Sequence, residues 1–553
     1  MANVADILII GSGASGGPFA WHLSTMKGVK IVCLEQGDWV GKPQSERRDE
    51  EAQRQRLATP PPRQNVRSFA DGYPYDYSES YWQPILGNAV GGATIHYGAV
   101  WERFHPSDFK VRSLDGVADD WPITYWDLAP YYDEIDRIVG VAGVPGNPAH
   151  PPKKVDFMPP HKLSAGAEVL TRGFKKMGYH WWPTERTVLT RPHRGRKPCL
   201  SNCRSCDDGC PREAKNSSDV VFWPDAIKNG VVLKTRARVR EITVNSRGLA
   251  DGALYYDADG RLQEQKARLV IVACNGIGTP RVLLNSKSKL FPNGLANGNG
   301  LVGKCLMGHP SARVVGLFEN DNVADADPLT NGICSEQFYE SSPGRGFVRG
   351  FHWMQVGYLG PVYGALGEPL TTLASMIPPA LQPGPFPHPV EWGFAHQEAL
   401  RERVAHQVGL GPGAEELPDE ANRVEIHPTL TDDLGIPAPK LIYKMSENTQ
   451  RMLKFGMERS KEVLEAAGAT KIVSQGLGTA APGHYMGTVR MGADPRRSVV
   501  DQWGRAHEVK NLFVIDGSVF TTSAAVVPTA TIQAIALRTA DYVKKNSRTL
   551  LST

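Results

Sequence analysis

Four cysteines lie within the twelve residues CLSNCRSCDDGC at positions 199–210. Their order is Cx3Cx2Cx3C, and Pro211 follows the last of them. Ferredoxin loops, which hold iron–sulfur clusters through cysteine thiolates, also end in CP, whereas CxxC pairs suit a tetrahedral zinc ion. A disulfide or a loop of thiols without a metal is the third alternative. The candidate ligands are Cys199, Cys203, Cys206 and Cys210.

A glycine-rich stretch near the start of the chain has the spacing that holds a dinucleotide. Gly11, Gly13 and Gly16 form GxGxxG in the stretch GSGASG, which also contains Ser15. In such a motif the first glycine permits a tight turn, the second lets a pyrophosphate approach the backbone, and the third lets a helix pack closely against a strand. Glu35, nineteen residues after Gly16, supplies a carboxylate for a ribose diol. The pattern predicts an adenine dinucleotide and does not distinguish NAD from FAD.

These residues require a strand, a turn and a helix to hold them. ADILII at 5–10 has the apolar density of a strand buried on both faces, and KIVCLE at 30–35 predicts a second strand. The same rhythm returns in KARLVIVACNGIGTPRVLL at 266–284, and again from NLFVIDGSVF to PTATIQAIALRTADYV at 511–543. We therefore predict a nucleotide-binding domain that is discontinuous in sequence and is closed by the C-terminal part of the chain.

Residues 310–470 have a different pattern. Short alternating strands such as NRVEIHP and KLIYKM, loops rich in Pro and Gly, and one helix near Glu447 to Ala467 predict an antiparallel sheet domain. The predicted fold class is α/β, with a Rossmann-like domain in several segments and a substrate domain built on an antiparallel β-sheet with helices. The predicted segments are 1–115 (nucleotide domain), 116–198 (substrate or cap), 199–310 (nucleotide domain with the cysteine-rich loop), 311–474 (substrate domain) and 475–553 (nucleotide domain).

Composition argues against several classes of partner. Lys plus Arg number 62 against 58 Asp plus Glu, without a long basic run, so nucleic acid is not expected to bind. The sequence contains no run of 18 apolar residues, and we therefore expect no membrane span. Because the first strand begins by Ala5, there is no room for a secretory signal. We expect a cytoplasmic chain, unless export together with a partner subunit places it in the periplasm.

Six motifs, in one order over nearly the whole chain, resemble those of the glucose-methanol-choline oxidoreductases. That family binds FAD, so the resemblance implies FAD and makes the nucleotide domain an FAD-binding domain. The chain is most similar to bacterial sugar dehydrogenases of the gluconate and fructose type and to pyranose oxidases, and DWPITYWDLAPYYDEIDRIVGV at 120–141 is similar to that branch. The six motifs are GSGASGG with Glu35, GNAVGGATIHYG at 87–98, ACNGIGTPRVLL at 273–284, LVGKCLMGHP at 301–310, GHYMGTVRMG at 483–492, and the segment 511–543.

The resemblance implies one catalytic residue, His484, in the motif HYMGT. In the family this histidine faces the flavin, where a neutral imidazole can take the proton of a substrate hydroxyl while hydride leaves for flavin N5. Family members usually have a second His or Asn before the PT of the final helix, and here that position is Val527. The alternatives are a single base, a hydroxyl contributed by Thr521, Thr522 or Ser523, or poor turnover of ordinary sugars.

The C-terminal segment supplies further cofactor contacts by resemblance. Asp516 follows a predicted strand and is expected beside the ribityl or pyrophosphate chain, with a simple helix or turn cap as the alternative. A helix is predicted to begin near Pro528 and Thr529, with the proline at its first position. Its positive end would then face the flavin N1 and C2 carbonyl.

The stretch GGATIHYG raises the question of covalent attachment. Gly91 and Gly92 are predicted to lie close under the cofactor, and Thr94 beside it. In pyranose oxidases and gluconate dehydrogenases, the histidine in the position of His96 is bonded to the flavin 8α carbon. The alternative is a noncovalent histidine packed on the dimethylbenzene ring.

We therefore expect an FAD-dependent oxidoreductase that converts the CH–OH group of a sugar, glycoside or sugar acid to a carbonyl, as a dehydrogenase rather than an oxidase. The alternatives are a long-chain or aromatic alcohol oxidase, and a non-redox flavoprotein or electron-transfer subunit. If the cysteine loop holds an iron–sulfur cluster, electrons would pass to an acceptor protein such as a small companion subunit. Fructose-type dehydrogenases carry a cluster at the corresponding place, but two of their cysteines are adjacent. Without a cluster, a quinone or dioxygen would accept the electrons.

Overall fold

The computed structural model describes residues 4–40, 74–80, 84, 86–200, 206, 210–323, 332–356, 394, 406–477 and 484–552. The strands are β1 (Ala5–Ile10), β2 (Ile31–Leu34), β3 (Asp76–Ser80), β4 (Trp182–Pro183), β5 (Val232–Lys234), β6 (Arg238–Val244), β7 (Ala250–Tyr256), β8 (Leu262–Val272), β9 (Ala312–Leu317), β10 (Ile333–Ser335), β11 (Phe351–Val356), β12 (Gln407–Ala414), β13 (Arg423–Thr431), β14 (Pro437–Tyr443), β15 (Lys471–Leu477) and β16 (Leu512–Val514).

The α-helices are α1 (Gly16–Leu23), α2 (Val111–Asp115), α3 (Tyr125–Val139), α4 (Ala165–Met177), α5 (Ser218–Val221), α6 (Trp223–Lys228), α7 (Asn275–Asn285), α8 (Glu447–Ala467), α9 (Thr529–Lys545) and α10 (Ser547–Leu550). Short 3₁₀ helices cover Gly92–Ile95, Pro106–Phe109 and Gly517–Val519. Within the described residues, no helix combines the length and the apolar character needed to cross a bilayer.

The predicted strand ADILII is β1, in the middle of the larger sheet. The strand order is β5, β2, β1, β8, β7, β6, and β16 also pairs with β8. The strands β2, β1, β8 and β16 run parallel to one another. β7 runs antiparallel to both of its neighbours, β8 and β6. Ile7 and Ile9 pack with Phe19 of α1, while Leu8 and Ile10 face the main core on the other side of the sheet. Burial on both faces explains the uninterrupted apolar run.

Three separate parts of the sequence build this sheet. β1 and β2 come first, β5 to β8 follow some two hundred residues later, and β16 lies near the C-terminus. The final long helix, α9, packs against both α1 and α3, so the last part of the chain covers the sheet that the first part begins. The predicted α/β fold class with a discontinuous Rossmann-like domain is confirmed. The boundaries between the five predicted segments stay predictions.

A second, antiparallel sheet has the order β15, β9, β12, β11, β10, β4. Helices α4 and α8 cover one face of it, where Phe351 and Trp353 are buried and Trp353 Nε1 donates to Ser460 Oγ of α8 at 2.8 Å. Because side chains alternate along a strand, His352 lies on the opposite face, where it meets Glu102. This sheet therefore presents polar side chains away from its helices.

Helix α8 has the bounds that the sequence predicts. Ser446 caps it, since its Oγ accepts a hydrogen bond from the Thr449 amide at 3.1 Å. Gly468 ends the helix with a φ of 108°, a conformation that glycine adopts without strain.

A third sheet was not predicted. It has the order β13, β14, β3, and β3 pairs with β14 in parallel. The strand β3 belongs to the predicted segment 1–115, so the chain between the first nucleotide strands and GNAVGGATIHYG reaches the strands of the segment 311–474. This pairing joins positions far apart in sequence, and nothing in DYSES indicates it.

A buried arginine ties the second sheet to the chain around α2. The Arg349 side chain is 1% exposed, and its Nη2 lies 2.6 Å from Asp108 Oδ1 while its Nε lies 2.9 Å from Glu415 Oε2. Both of these carboxylates are fully buried. Asp115 and Glu340 lie 3.2 and 3.3 Å from Nη1. The surrounding carboxylates raise the pKa of Arg349 above its ordinary value, so the guanidinium remains charged.

We expect Arg349→Met to lower the free energy of unfolding by about 3–5 kcal/mol, because it leaves Asp108 and Glu415 buried without a counter-charge. The matched control is Arg451→Met in α8, where an exposed side chain lies 3.6 Å from Glu447 and contributes at most about 0.5 kcal/mol. Thermal and urea unfolding of both variants measure the difference. Equal stability of the two variants would contradict the buried ion-pair network.

Candidate active site

The first glycine turn has the geometry that its sequence predicts. Gly11 has a φ of 99°, and a Cβ there would lie 2.4 Å from the Ala273 carbonyl oxygen. A Cβ at Gly16 would lie 2.0 Å from the Gly11 oxygen, so the start of α1 packs directly on the turn. At Gly13, the nearest atom to such a Cβ is Gly92 Cα at 3.8 Å, which leaves open space beside the backbone. The turn is tight at its two ends and open at the middle glycine, as a pyrophosphate requires.

Glu35 lies at the end of β2 beside this turn. Its Oε2 accepts hydrogen bonds from the Ser12 amide at 2.9 Å and the Ser12 hydroxyl at 2.6 Å, and its Oε1 accepts from the Gly37 amide at 2.9 Å. Burial raises the pKa of the Glu35 carboxyl, although these hydrogen bonds oppose the rise. The contacts fix the carboxylate next to the glycine turn, and its contact with a ribose stays a prediction.

The second glycine turn packs against the first. Gly91 and Gly92 have φ values of 98° and 54°, and a Cβ at Gly92 would lie 3.0 Å from Gly13 Cα. Thr94 is buried, and its hydroxyl donates to the Gly91 oxygen at 2.5 Å and accepts from the Ser218 amide at 2.9 Å. Thr94 thus holds the turn in shape. A side chain at position 92 would fill the space beside Gly13, which is why glycine is required there.

His96 directly follows the 3₁₀ helix Gly92–Ile95 and is half-buried. Lys215 fixes this stretch, because its buried ammonium donates to the Ile95 oxygen at 2.6 Å and to the Tyr97 oxygen at 3.1 Å. The same ammonium also donates to the Cys206 carbonyl. The cysteine loop and the His96 segment therefore meet at one lysine.

The described cysteines of the loop lie partly in the protein interior. Cys199 and Cys210 pack against one small apolar cluster, and Cys206 is buried. Among the described residues, the group of candidate metal ligands that lie within 4.8 Å of one another does not include these three cysteines. Cys203 lies outside the described residues. The iron–sulfur, zinc and metal-free alternatives all stay open.

Asp516 acts as a helix cap. Its Oδ1 accepts from the Ser518 amide at 2.8 Å, and its Oδ2 accepts from the Asn275 amide at 3.1 Å and the Thr279 hydroxyl at 2.6 Å. These bonds join the end of β16 to the start of α7, as the cap alternative predicts. Burial raises the pKa of Asp516. A cofactor contact at its remaining lone pairs stays a prediction.

The final long helix begins one residue later than the sequence predicts. Pro528 is the N-cap, and its carbonyl accepts the first intrahelical bond from the Ile532 amide at 2.9 Å, so Thr529 is the first helical residue. The predicted first-position proline is therefore wrong by one residue. Proline suits either position because it has no amide hydrogen to satisfy.

His484 is paired with a second histidine that the sequence analysis did not assign, His309. Their Nδ1 atoms are 2.9 Å apart. His309 Nε2 lies 3.2 Å from the Ser523 carbonyl oxygen and 3.0 Å from that of Ala524. His309 is 7% exposed, whereas His484 is half-buried. Two imidazoles from distant parts of the chain thus form one hydrogen-bonded unit.

The partners determine where each proton sits. Carbonyl oxygens only accept hydrogen bonds, so His309 Nε2 must carry a proton to donate to Ser523 and Ala524. In neutral His309 the Nδ1 atom is then unprotonated and accepts from His484 Nδ1–H. The proton of neutral His484 is consequently on Nδ1, and Nε2 keeps its lone pair. Burial lowers the pKa of His309 to about 4 and that of His484 well below 6.5, so both rings are neutral at pH 7.

The hydroxyls of Thr521, Thr522 and Ser523 make structural hydrogen bonds. They donate to the carbonyl oxygens of Met491, Asp108 and Glu416 at 3.1, 2.9 and 3.0 Å. These bonds hold the loop whose carbonyls bind His309. His309 could have been found from the GHP of the motif LVGKCLMGHP, but only the fold brings that segment to His484.

Together, these residues fit a dinucleotide with a flavin head. The cradle between Gly13 and Gly92 leaves room for backbone contact with phosphates, and Glu35 is fixed beside the first glycine turn. The motif of His484 lies beside Asp516, because the Gly487 amide donates to the Gly517 carbonyl at 3.1 Å. Contacts of His96 and of the start of α9 with the cofactor stay predictions.

The chain matches two family models described as GMC oxidoreductase, over residues 27–311 and 418–536. It is 36% identical over 552 residues to 2-methyl-1,2-propanediol dehydrogenase of Mycolicibacterium austroafricanum, with 98% of this chain and 96% of that protein covered. It is 30% identical to 6'''-hydroxyparomomycin C oxidase of Streptomyces lividus, with 97% and 91% covered. It is 28% identical to the fructose dehydrogenase large subunit of Gluconobacter japonicus, with 98% and 97% covered.

Solved structures agree with the fold. Pyridoxine 4-oxidase from Mesorbium loti has a TM-score of 0.67 at 16% identity, with 98% of this chain and 99% of that chain covered. A formate oxidase variant from Aspergillus oryzae RIB40 has a TM-score of 0.68 at 15% identity, and both chains are covered completely. With both family models matched, and relatives aligned over almost the full length, the chain belongs to the GMC oxidoreductase family and is an FAD-dependent oxidoreductase that acts on CH–OH donors.

Proposed function

We propose that the chain is a dehydrogenase that oxidises one CH–OH carbon of a small polyhydroxy compound, a sugar, glycoside, sugar acid or diol, with His484 as the base. Bound FAD supplies the hydride acceptor at flavin N5. The contact between His309 and His484 carries the proposal, because it keeps His484 Nε2 unprotonated and able to accept the hydroxyl proton.

The contact between His309 and His484 also stabilises His484 after it has accepted the proton of the substrate hydroxyl. His484 then becomes an imidazolium whose Nδ1–H donates a charge-assisted hydrogen bond to His309 Nδ1. The carbonyls of Ser523 and Ala524 fix His309 beforehand, so this acceptor does not have to reorganise. His309 is therefore a positioning residue for His484, in the way that a carboxylate orients the histidine of a hydrolase triad.

The relatives support a polyhydroxy substrate. Their names give a 1,2-diol, a ketose and an aminoglycoside, and each aligns over more than nine-tenths of both chains. The alternative, a long-chain alcohol oxidase, has weaker support, since such a protein of Arabidopsis thaliana is 23% identical and only 69% of it is covered. The non-redox alternative has no specific support, because the matched family models and the aligned relatives are those of oxidoreductases.

In this proposal, the group bound by the cysteine loop determines which molecule accepts the electrons. Lys215 holds the Cys206 carbonyl beside the His96 segment, so a cluster bound by the loop would lie close to the residues that we propose to hold the flavin. We propose an iron–sulfur cluster at Cys199, Cys203, Cys206 and Cys210, a flavin attached through His96, and transfer of electrons to a companion subunit. That subunit could also carry the chain to the periplasm, and without it the chain would stay in the cytoplasm.

Substituting the histidines tests the base. We expect His484→Asn to slow anaerobic flavin bleaching by substrate by about 10²–10⁴-fold, since the proton acceptor is lost. We expect His309→Leu to lower kcat by roughly 10–100-fold with little change in KM, because it acts through the orientation of His484. The matched control is His406→Asn, whose Nδ1 lies 2.9 Å from the Asp321 carbonyl oxygen in a surface loop. Wild-type bleaching rates in His484→Asn would remove that residue from the mechanism.

The pH dependence of flavin reduction tests the protonation state of His484. The neutral form of His484 is the active form, and its pKa is lowered well below 6.5. Activity is therefore fully present above that pKa and lost as pH falls through it. We expect kcat/KM to stay constant from pH 8 down to pH 6.5 and to fall only at clearly lower pH, as measured by stopped-flow bleaching. A decline that begins above pH 6.5 would contradict a depressed pKa.

An absorption spectrum before and after acid precipitation tests the cofactor proposals. We expect flavin absorbance to remain with the precipitated wild-type chain and to appear in the supernatant for His96→Ala. Broad iron–sulfur absorbance should underlie the flavin bands and be absent from Cys210→Ala. Flavin released from the wild type argues against attachment, and identical spectra for wild type and Cys210→Ala argue against a cluster.

A further inference from the structure

A buried group of candidate metal ligands lies outside the proposed active site and the cysteine loop. It consists of Glu102, Cys334, Glu336 and His352, whose ligand atoms all lie within 4.8 Å of one another. The side chains of Glu102, His352 and Glu336 are only 3%, 2% and 1% exposed. We call these four residues the Glu–His–Cys cluster.

The cluster joins two parts of the fold. Cys334 lies in β10 and His352 in β11, on the face of the second sheet that is opposite to α8, because Cys334 pairs with Met354, which shares the face of His352. Glu336 directly follows β10. Glu102 comes from the chain that follows the second glycine turn. The cluster thus links the second sheet to the FAD-binding part of the chain.

Several polar atoms of the cluster are buried without hydrogen bonds. Within the described residues, neither oxygen of Glu102 makes an aligned hydrogen bond, nor does Glu336 Oε2 or His352 Nε2. Glu102 Oε1 and His352 Nε2 are 3.0 Å apart but are not aligned as a hydrogen bond. Buried polar atoms without hydrogen bonds lower the stability of the folded state. A carboxylate oxygen and an imidazole nitrogen that lie close together without a hydrogen bond between them can both be ligands of one metal ion.

Neighbouring imidazoles offset the charge of the two carboxylates only in part: His150 Nε2 lies 3.5 Å from Glu336 Oε1, and His352 Nε2 lies 3.0 Å from Glu102 Oε1. His180 Nε2 donates to Asn147 Oδ1 at 2.9 Å, and its Nδ1 accepts from the Glu336 amide at 3.2 Å. That Nδ1 therefore has no proton to offer Glu336 Oε2, although the two atoms are 3.3 Å apart. Lys153 is already paired with Glu185 at 2.6 Å. A cation among the carboxylates would supply the missing charge.

We propose that Glu102, Glu336, His352 and Cys334 bind one divalent metal ion, of which zinc is the best match. A mixed set of oxygen, nitrogen and sulfur ligands is typical of zinc. Tetrahedral zinc places its ligand atoms roughly 3.3–3.7 Å apart. Here His352 Nε2 lies 3.8 Å and Cys334 Sγ 4.0 Å from Glu336 Oε1, so shifts of a few tenths of an ångström complete the site. The Cys334 thiol proton is released to solvent on binding.

Burial favours an ion over a substrate at this place. Side chains that are 1–3% exposed leave no room for an alcohol between them, whereas their converging atoms can surround a single ion. The ion would hold the second sheet against the chain that follows the second glycine turn.

Metal analysis of the purified, flavin-containing protein tests the site. Because the cysteine loop is a competing metal site, the background is Cys206→Ala/Cys210→Ala, in which we expect one zinc per chain. Adding His352→Asn or Glu336→Gln should remove that zinc, and the controls His406→Asn and Glu420→Gln should retain it. Equal zinc content in cluster and control variants would overturn the proposal.

A second measurement needs no change in the cluster. In the Cys206→Ala/Cys210→Ala background, a chelator should remove the metal and lower Tm, and Zn²⁺ should restore both. Co²⁺ added instead should give a thiolate-to-cobalt band that Cys334→Ala loses and Cys33→Ala keeps. Failure to take up stoichiometric Zn²⁺ or Co²⁺ would overturn the proposal. So would a Glu336→Gln variant that keeps its metal and only raises KM, since this result assigns Glu336 to substrate binding.

Discussion

The direction of one hydrogen bond, from His484 Nδ1 to His309 Nδ1, determines what the proposed active site can do. It follows from the two carbonyls of Ser523 and Ala524, which take the only proton of His309. If His309 could turn away from them, its Nδ1 would be free to carry the proton, and His484 would present an N–H group to the substrate. The loop 521–524 therefore matters through its backbone.

The rest of the structure keeps that loop in place. Its three hydroxyls reach the chain before α2, the chain just after β12 and the motif GHYMGTVRMG, which belong to different parts of the fold. Arg349 holds two of these regions together through Asp108 and Glu415. Charges buried between the second sheet and the chain before α2 and hydrogen bonds around the loop thus act on the same few residues. A loss of either would move the carbonyls that orient His309.

The sequence predicts the parts of this arrangement that depend on local spacing. GSGASG, the apolar strand before it and the bounds of α8 depend on neighbours within one or two turns, so composition and order are sufficient. His309 is different, because GHP has no local signature of a positioning residue and meets His484 only when the chain has folded back. The same reason applies to β3, whose partner β14 lies more than three hundred residues away, and to the Glu–His–Cys cluster. Resemblance to a family predicts a role for His484 and a partner at position 527, but it does not indicate His309.

Val527 can now be considered together with His309. A polar residue at position 527 would contact the substrate oxygen, whereas His309 contacts the far side of the His484 ring. Position 527 would supply a hydrogen bond to the substrate, whereas His309 supplies one to His484. His309 therefore does not replace the donor that is missing at position 527. Of the alternatives for Val527, a hydroxyl of the loop is disfavoured, because all three hydroxyls donate to backbone carbonyl oxygens. A single base and poor turnover of ordinary sugars both stay open. Such a base gains from a fixed tautomer and a depressed pKa, because no second group is there to hold the substrate proton in position. The substitution at 527 and the pairing with His309 are thus consistent parts of one design.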